Sequence, residues 1–207
     1  MRSFFAYWPR VGLALAAVLV AVLAALAVTD PDRLSDPRLV AAVSLVTLLL
    51  HQTEEYVWPG GFPQMVNRVM FRSDQPDRYP LDQRTSWIVN VALGWTLYAL
   101  AVLVVEPAPW LVVATLVVSA GNVVAHTVLF NVRGRTFYNP GLATCWVLFV
   151  PVIAWFVVVA RREDLLGVVD VVVGVVLGMA VNYLGVLRLI VVLGDRDTAY
   201  PFPSRAS

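Results

Sequence analysis

Long apolar runs separated by short polar segments define the organisation of this chain. Each run is long enough to cross a bilayer, whose hydrocarbon core of about 30 Å requires about 20 helical residues. Prolines, glycines and charged residues interrupt the runs, as at Pro59-Gly60-Gly61. The pattern predicts six transmembrane helices, at residues 11–28, 39–58, 86–105, 109–130, 138–160 and 165–193.

A shorter segment that starts at Phe62 has a different pattern. Its apolar residues recur at helical spacing, while Asn67, Arg68 and Arg72 take the other side. This predicts a short amphipathic helix that anchors the chain in the membrane interface, with a lid over a substrate site as the alternative. The fold class is therefore all-α, a single membrane domain over residues 1–207.

The first run, at residues 11–28, follows two arginines and ends in small residues, as a signal peptide does. However, it exceeds the apolar core of about 7–15 residues that signal peptides use, and it is long enough to span. We therefore expect a retained N-terminal helix, followed by a five-helix core at residues 39–193. Gly174 and Gly178 in the last predicted helix offer a small-residue face for close helix contact.

Composition places the chain among polytopic membrane proteins. It is 59% hydrophobic and 14% charged, with a mean hydropathy of +0.76, well beyond the apolar content of soluble domains. Fifteen basic residues, all arginine, nearly balance fourteen acidic ones, so a net charge of +1 provides no broad basic surface for nucleic acid. The single cysteine, Cys145, excludes an internal disulfide and is expected to be a small core residue.

The arginines predict the orientation, because cytoplasmic loops of membrane proteins carry an excess of basic residues. With the N-terminus inside, ten arginines fall in inner segments and four in outer loops. We therefore expect a multi-pass protein of the inner (plasma) membrane with both termini in the cytoplasm. The inner set comprises Arg2, Arg10, Arg68, Arg72, Arg78, Arg84, Arg133, Arg135, Arg196 and Arg205, and the outer set comprises Arg33, Arg38, Arg161 and Arg162.

The second predicted helix carries His51, Glu54 and Glu55 at the end of an apolar run. Residues three and four apart share a helix face, so the two carboxylates flank the imidazole. Ionisable groups inside a membrane cost about 2.5–3.5 kcal/mol each on insertion scales and are by default functional candidates. A pair of carboxylates in hydrocarbon needs a partner, a proton or a metal.

Other polar residues fall at the same depth. At 1.5 Å per residue, His51 lies about 18 Å and His126 about 24 Å from the outer ends of their helices, in the inner half of the bilayer. Asn122 shares a face with His126, Asn90 lies one turn into the third helix, and Asn139 is the predicted N-cap of the fifth. The sequence therefore predicts one polar site near the cytoplasmic face, although buried amides such as Asn90 and Asn122 also cement helices.

Three motifs suggest a family. HQTEE at residues 51–55, NVVAH at 122–126 and YNPG at 138–141 resemble the HXXEE-domain family, small bacterial and archaeal membrane proteins of largely uncharacterised function. The resemblance covers about residues 39–193 and supplies no reaction. The positions that it implies to be functional are His51, Glu54, Glu55, Asn122 and His126.

The residue types favour a membrane-embedded hydrolase that acts on a lipid-like or isoprenoid substrate from the cytoplasmic leaflet. Glu54 or Glu55 would act as general base on water, and Asn122 would add a hydrogen bond to the developing oxyanion. Two histidines with a carboxylate ligand, from Glu54 or Glu55, fit a catalytic divalent metal, with zinc the best match; alternatively His51 and His126 donate to the oxyanion.

Substrate-binding candidates are Asn90, Arg133, Arg135 and Asn139. The two arginines and the start of the fifth helix are placed to hold a phosphate or another anionic head group, because exposed helix N–H groups favour anions. A role in setting the topology is the alternative for both arginines. The predicted partners are membrane lipid and a lipid-like small molecule.

Three other functions fit the same residues. A metal-free acid/base isomerase or cyclase of isoprenoid lipids would use the same glutamate and histidine positions for protonation. A transporter or proton relay would use them along a path, although residues clustered on one side suit a pocket better. A non-catalytic assembly factor would need the cluster only for packing. Substrate, metal identity and oligomeric state are left open.

Overall fold

A computed structural model describes residues 4–203, an all-α structure with no β-strand in that range. Arg2 and Arg205, two members of the inner arginine set, lie outside the described residues. Short 3₁₀ turns occur at Phe4–Ala6 and Pro31–Ser35. The main helices are α1 (Trp8–Thr29), α2 (Pro37–Tyr56), α3 (Phe62–Val69), α4 (Gln83–Leu103), α5 (Pro109–Gly134), α6 (Leu142–Arg162) and α7 (Val168–Leu193).

Five helices within residues 4–203 are long and apolar enough to cross a membrane, namely α1, α4, α5, α6 and α7. The predicted all-α membrane architecture is confirmed to that extent. The remaining long helix, α2, has 20 residues, but Arg38 in its first turn and the two glutamates in its last turn reduce its apolar character. It is also the most enclosed of the long helices, with most of its second half buried.

Local sequence explains where the helices begin. The Asp36 carboxylate accepts a hydrogen bond from the backbone N–H of Arg38 at 2.8 Å, at the start of α2. The Asp82 carboxylate accepts a hydrogen bond from the backbone N–H of Thr85 at 2.7 Å and caps α4. This helix begins at Gln83, three residues before its predicted start. Such side-chain caps satisfy N–H groups that have no partner inside the helix.

The predicted start of the fifth helix is wrong. Asn139 is not its N-cap; α6 begins at Leu142, after Gly141, which has a φ of 107°. The reason is that the Asn139 side chain is hydrogen-bonded to His126 of α5 instead. A tertiary contact has taken precedence over the local capping preference.

Helix α7 packs closely against α5 through its glycines, as predicted. A Cβ atom at Gly174 would lie 2.6 Å from the carbonyl oxygen of Trp110, and one at Gly178 would lie 2.7 Å from that of Ala114. Both distances are shorter than side chains tolerate. The small residues therefore let the two backbones approach, as in other membrane helix pairs.

Each of α4 to α7 contains a π-helical stretch: Ile88–Trp95, Ala125–Leu129, Cys145–Phe149 and Val181–Arg188. π-Helical turns are rare and are frequent at functional sites. Three of them, in α4, α5 and α7, contribute residues to the cavity described below.

Loops predicted to share a side of the membrane meet in the structure. Tyr200 of the C-terminal tail packs edge-on against Phe5, with ring centroids 5.1 Å apart, and the tail hydrogen-bonds to the segment 70–83. At the opposite end, Arg38 donates to Glu106 at 3.0 Å. The inner and outer loop sets thus lie at different ends of the bundle.

Candidate functional site

One carboxylate oxygen lies between two imidazoles at the centre of the candidate site. Glu55 Oε1 is 3.5 Å from His51 Nε2 and 3.4 Å from His126 Nε2. The three side chains are buried, with relative exposures of 4%, 2% and 0%. The imidazole rings lie 5.0 Å apart at an interplanar angle of 83°. The structure therefore brings α2 and α5 together at the residues that the motifs singled out.

The other ring nitrogen of His126 is fixed by Asn139. The Asn139 amide nitrogen donates to the His126 carbonyl oxygen at 2.8 Å and to Asn131 Oδ1 at 2.8 Å. Because a carbonyl oxygen only accepts, this sets the orientation of the amide and turns Asn139 Oδ1 towards His126 Nδ1, 2.6 Å away. His126 Nδ1 must then carry a hydrogen, so Nε2 of the neutral ring has a lone pair.

His51 is fixed in the same way by Thr144. Its Nδ1 lies 2.9 Å from Thr144 Oγ1. The only hydrogen of that hydroxyl is directed to an oxygen that accepts, either Glu54 Oε2 at 2.6 Å or the Gly141 carbonyl at 3.1 Å. Thr144 Oγ1 therefore accepts from His51 Nδ1–H, and the lone pair of this ring also lies on Nε2.

With both rings neutral and Glu55 ionised, two nitrogen lone pairs and an anionic oxygen face one another in a buried space. Neither Nε2 atom makes a hydrogen bond. Unscreened lone pairs would repel, so a positive charge, a proton or a metal ion, has to lie among them. The separations of 3.4 and 3.5 Å exceed the roughly 2.7–2.9 Å of charge-assisted hydrogen bonds. Each of these two N···O separations, taken singly, is close to the spacing of about 3.3–3.4 Å between two tetrahedral ligands whose bonds are about 2.0–2.1 Å long.

Glu54 is placed differently. Its carboxylate accepts from the backbone N–H groups of Ala143, at 3.2 Å, and Thr144, at 2.8 Å, and from the Tyr138 hydroxyl at 2.8 Å. It therefore occupies the N-terminus of α6, where helix dipole and free N–H groups favour an anion. The structure does not bring Glu54 to the two Nε2 atoms.

Cys145, which is fully buried as expected, lies on the far side of His51. Its Sγ is 3.9 Å from His51 Nδ1, the nitrogen that Thr144 already engages. Ligand atoms of Cys145 and both histidines lie within 4.8 Å of one another. The imidazole nitrogen that the sulfur contacts is therefore Nδ1 of His51, not the Nε2 that faces Glu55.

Glu55 and His51 line one end of a cavity of about 500 Å³. Apart from this end and a few amides and tyrosines, its walls are apolar. Glu55 is the one carboxylate among the described residues that line it. A cavity of this size and polarity is typical of ligand sites, which combine an apolar wall with few polar groups. Its apolar walls include Leu48, Leu81, Val89, Leu93, Leu97, Val118, Val186 and Ile190.

Asn90 lies in the cavity wall, within a hydrogen-bonded chain. Its Oδ1 accepts from Gln52 Nε2 at 3.0 Å, and its amide donates to the Tyr56 hydroxyl at 3.1 Å. Gln52 Oε1 in turn accepts from Trp95 Nε1 at 2.7 Å. The chain ties α2 to α4 and presents polar atoms beside Glu55.

Asn122 also lines the cavity, but it does not contact the imidazoles. Its amide donates to the Val118 carbonyl oxygen, one turn back in α5, at 3.0 Å. Ser119, above it, bonds to the hydroxyl of Tyr98 at 2.7 Å. The Asn122 amide is therefore satisfied within its own helix, and Ser119 ties α5 to α4.

The two arginines predicted to hold an anionic head group lie outside the cavity. Arg133 is exposed and points its guanidinium at Met70 Sδ, 3.4 Å away. Arg135 is exposed at the end of α5, with a φ of 49°. The helix N-terminus predicted to join them in binding an anion is already occupied by the Glu54 carboxylate. The Glu54 carboxylate therefore occupies the position that was predicted for an anionic head group of the substrate.

Several site residues were not predicted from the sequence. Gly141 packs so closely that a Cβ atom there would lie 2.3 Å from His126 Cε1 and 2.8 Å from His51 Cε1. Phe62 of α3 stacks on His126, with centroids 5.2 Å apart and planes at 22°. Tyr138 is held by Glu54, and this bond and burial, the larger cause, raise the pKa of its hydroxyl to about 12. Tyr138 and Gly141 belong to the YNPG motif, which was the available signal.

Comparison with known proteins gives one match. The family described as "Protein of unknown function with HXXEE motif" matches residues 42–156, more than half of the chain. No curated protein and no solved structure matches this chain. The matched range contains His51, His126, the two glutamates of the HQTEE motif and the start of α6. The chain therefore belongs to the HXXEE family, as its motifs predict.

Proposed function

We propose that this protein is an integral membrane hydrolase, with a metal-binding site formed by His51, His126 and Glu55, that acts on a lipid-like or isoprenoid substrate. The observation that carries the proposal is the convergence of two imidazole Nε2 atoms on one oxygen of Glu55. Neither Nε2 has a hydrogen-bond partner, and both Nδ1 atoms are engaged on the opposite edges of the rings. Buried side-chain nitrogens usually have a hydrogen-bond partner, and a ligand shared by the two Nε2 atoms would provide one.

The donor set fits a divalent metal. Two neutral imidazole nitrogens and one carboxylate oxygen, with a position left open, are a ligand set of catalytic zinc. Histidines that bind a metal almost always hydrogen-bond to a protein group or water through their second ring nitrogen, as His51 does to Thr144 and His126 does to Asn139. A metal held there would act as a Lewis acid on a carbonyl or phosphoryl oxygen of the substrate.

The protein's own residues supply the remaining functions. Glu55 would use Oε1 as the metal ligand and its other oxygen as the proton acceptor for the attacking water, because it is the one carboxylate among the described cavity-lining residues. Asn90 and Tyr56, in the wall beside Glu55, orient the polar part of the substrate. Phe62 covers His126 and keeps bulk water from the imidazole. Glu54 acts indirectly by holding Thr144, which orients His51.

The shape of the cavity favours a substrate with a hydrocarbon part. About 500 Å³ lined mainly by aliphatic residues would hold an acyl or prenyl chain, and the polar end at Glu55 would receive the bond to be cleaved. A soluble polar substrate would leave this apolar surface without a partner.

We place α2 across the membrane as the sixth span, with α3 in the interface and the site near the cytoplasmic face of the inner membrane. Three observations support this placement. α2 is as long as a span, α3 is strongly amphipathic, and the loops rich in arginine gather at the end of the bundle nearest Glu55. The substrate would then be a lipid of the cytoplasmic leaflet.

Metal analysis of detergent-purified protein tests the site. We expect about one zinc or other divalent ion per chain, lost in His51→Ala and His126→Ala and weakened at least tenfold in Glu55→Gln. Glu106→Gln is the matched control, since it makes the same change at an exposed carboxylate that pairs with Arg38 at the opposite end of the bundle. Wild-type protein without stoichiometric metal would refute the metal site.

Hydrolysis assays on mixed-micelle panels of acyl esters and isoprenyl phosphates test the reaction. We expect turnover that Glu55→Gln reduces by about 10²–10⁴-fold, the usual contribution of a general base. Isomerised or cyclised products without metal would instead support the acid/base alternative. Proton flux into proteoliposomes that Glu55→Gln abolishes would support the relay.

A further inference from the structure

The cavity beside Glu55 has an apolar mouth on the side of the bundle. Three of its lining residues are exposed: Val124 at 62%, Val128 at 55% and Leu187 at 42%. The other lining residues are buried or half-buried. A residue that lines a cavity and is also exposed lies at its opening. The opening therefore lies between α5, which carries both valines, and α7, which carries the leucine.

The two helices separate at this level for a visible reason. Nearer the outer end, Gly174 and Gly178 let α7 approach the α5 backbone. Asn182 makes the last tie, donating to the carbonyl oxygen of Val117 at 3.1 Å. Beyond it, α7 turns to α4, since a Cβ atom at Gly185 would lie 2.7 Å from Leu93. The π-helical stretches Ala125–Leu129 and Val181–Arg188 begin at the same point and border the gap.

The mouth faces hydrocarbon, because α5 and α7 are both apolar enough to span a membrane. An opening lined by valine and leucine is unfavourable for water, whereas an acyl or prenyl chain would enter it without leaving apolar surroundings. The surface around the mouth is also apolar, with Leu184 exposed at 58%.

We infer that the gap between α5 and α7 is a lateral portal, through which the hydrocarbon chain of a membrane lipid enters the cavity directly from the bilayer. This inference rests on the proposed function for its substrate class and adds the route of entry. The chain passes Val128 and Leu187, lies along the inner wall at Leu48 and Val118, and leaves the polar end of the molecule at Glu55.

Photolabelling tests the portal without requiring turnover. The probe is palmitic acid with a terminal diazirine, incorporated into phosphatidylcholine nanodiscs with the purified protein, and adducts are mapped by mass spectrometry. We expect adducts on Leu48 and Val118, which line the cavity and are only 6% and 8% exposed.

Tryptophan at the mouth should block entry. We expect Val128→Trp and Leu187→Trp to reduce the interior adducts at least fivefold. Val176→Trp is the control, since Val176 is 63% exposed on α7 but does not line the cavity; its interior adducts should equal those of the wild type. All variants are compared at equal thermal stability, and a less bulky Val128→Phe replaces any that does not fold.

Two results would overturn the inference. One is wild-type protein labelled on exposed residues but not on Leu48 or Val118. The other is interior labelling that both tryptophan variants leave unchanged, which would place the entrance elsewhere. The same labelling of His126→Ala separates this inference from the proposed function, because a portal would still admit the probe after the metal site is lost.

Discussion

Gly141 offers the sharpest test of the site, because its missing side chain makes room for both imidazoles. In Gly141→Ala, the new Cβ atom would lie 2.3 Å from His126 Cε1, 2.7 Å from His126 Nδ1 and 2.8 Å from His51 Cε1. Ordinary contacts of a Cβ atom begin at 3.4 Å, so the His126 ring has to move by about 1 Å. The His126 ring cannot move freely, since Asn139 and Phe62 hold it on two sides.

The magnitude follows from two costs. A non-glycine residue at the observed φ of 107° is strained by about 1–3 kcal/mol. Overpacking of a filled site adds about 1–3 kcal/mol. We therefore expect Gly141→Ala to lower the free energy of unfolding by about 2–6 kcal/mol. Metal sites tolerate about 0.2 Å in ligand distance, so a shift of about 1 Å should also weaken metal binding at least tenfold.

Thermal unfolding in detergent and metal analysis of the same sample measure both effects. Gly134→Ala is the matched control, because the nearest atom to its Cβ would be 3.4 Å away and its φ is not positive. That variant should keep both metal and stability. If Gly141→Ala retained wild-type stability and bound metal as tightly, the packing of the two imidazoles against Gly141 would be disproved.

Three further predictions concern the surroundings of the site. Asn139→Ala should weaken metal binding about 10–100-fold, measured by chelator competition, because His126 Nδ1 loses the acceptor that fixes its tautomer. The raised pKa of Tyr138 stabilises the folded state below pH 10, its ordinary pKa, and this contribution is lost as the pH rises towards 12. In alkaline unfolding, Tyr138→Phe should therefore show a smaller loss of stability over that window, since it cannot ionise beside Glu54. Gly178→Val should lower the melting temperature, because its side chain would collide with the α5 backbone and force the helices apart.

The helices and the meeting of His51 with His126 were predictable from the sequence, for a simple physical reason. Apolar length identifies helices that can span, and the rise per residue converts position into depth. In a bundle of few helices, polar residues that lie at the same depth and avoid lipid must face the same interior space. The same reasoning assigned Asn90 to the predicted polar site, and Asn90 lines the cavity.

The choice between Glu54 and Glu55 was not predictable from the helix alone. On α2, Glu55 lies about 40° from His51 and Glu54 about 60° from it on the other side. Both angles are compatible with the site. The start of α6 decides between them, because its free N–H groups bind Glu54.

Asn139 shows the limit of capping rules in the same segment. Its residue type and the following Pro140 favour an N-cap, but its side chain makes three hydrogen bonds to α5 that a cap could not provide. Phe62 illustrates a different limit. Its amphipathic helix was predictable, whereas its stacking on His126 depends on how α3 folds back over the bundle.

These contacts give Glu54 and Glu55, the two glutamates of the motif, different roles. Residues 138–144, at the start of α6, supply Asn139 to one imidazole, Thr144 to the other and Gly141 between them. This segment orients both rings only if it is fixed against α2. Glu54 fixes it, since a carboxylate at a helix N-terminus is stabilised by the helix dipole and by direct N–H bonds even where water is scarce. Glu54 therefore holds the segment that orients the two histidines, and Glu55 is the residue that their Nε2 atoms face.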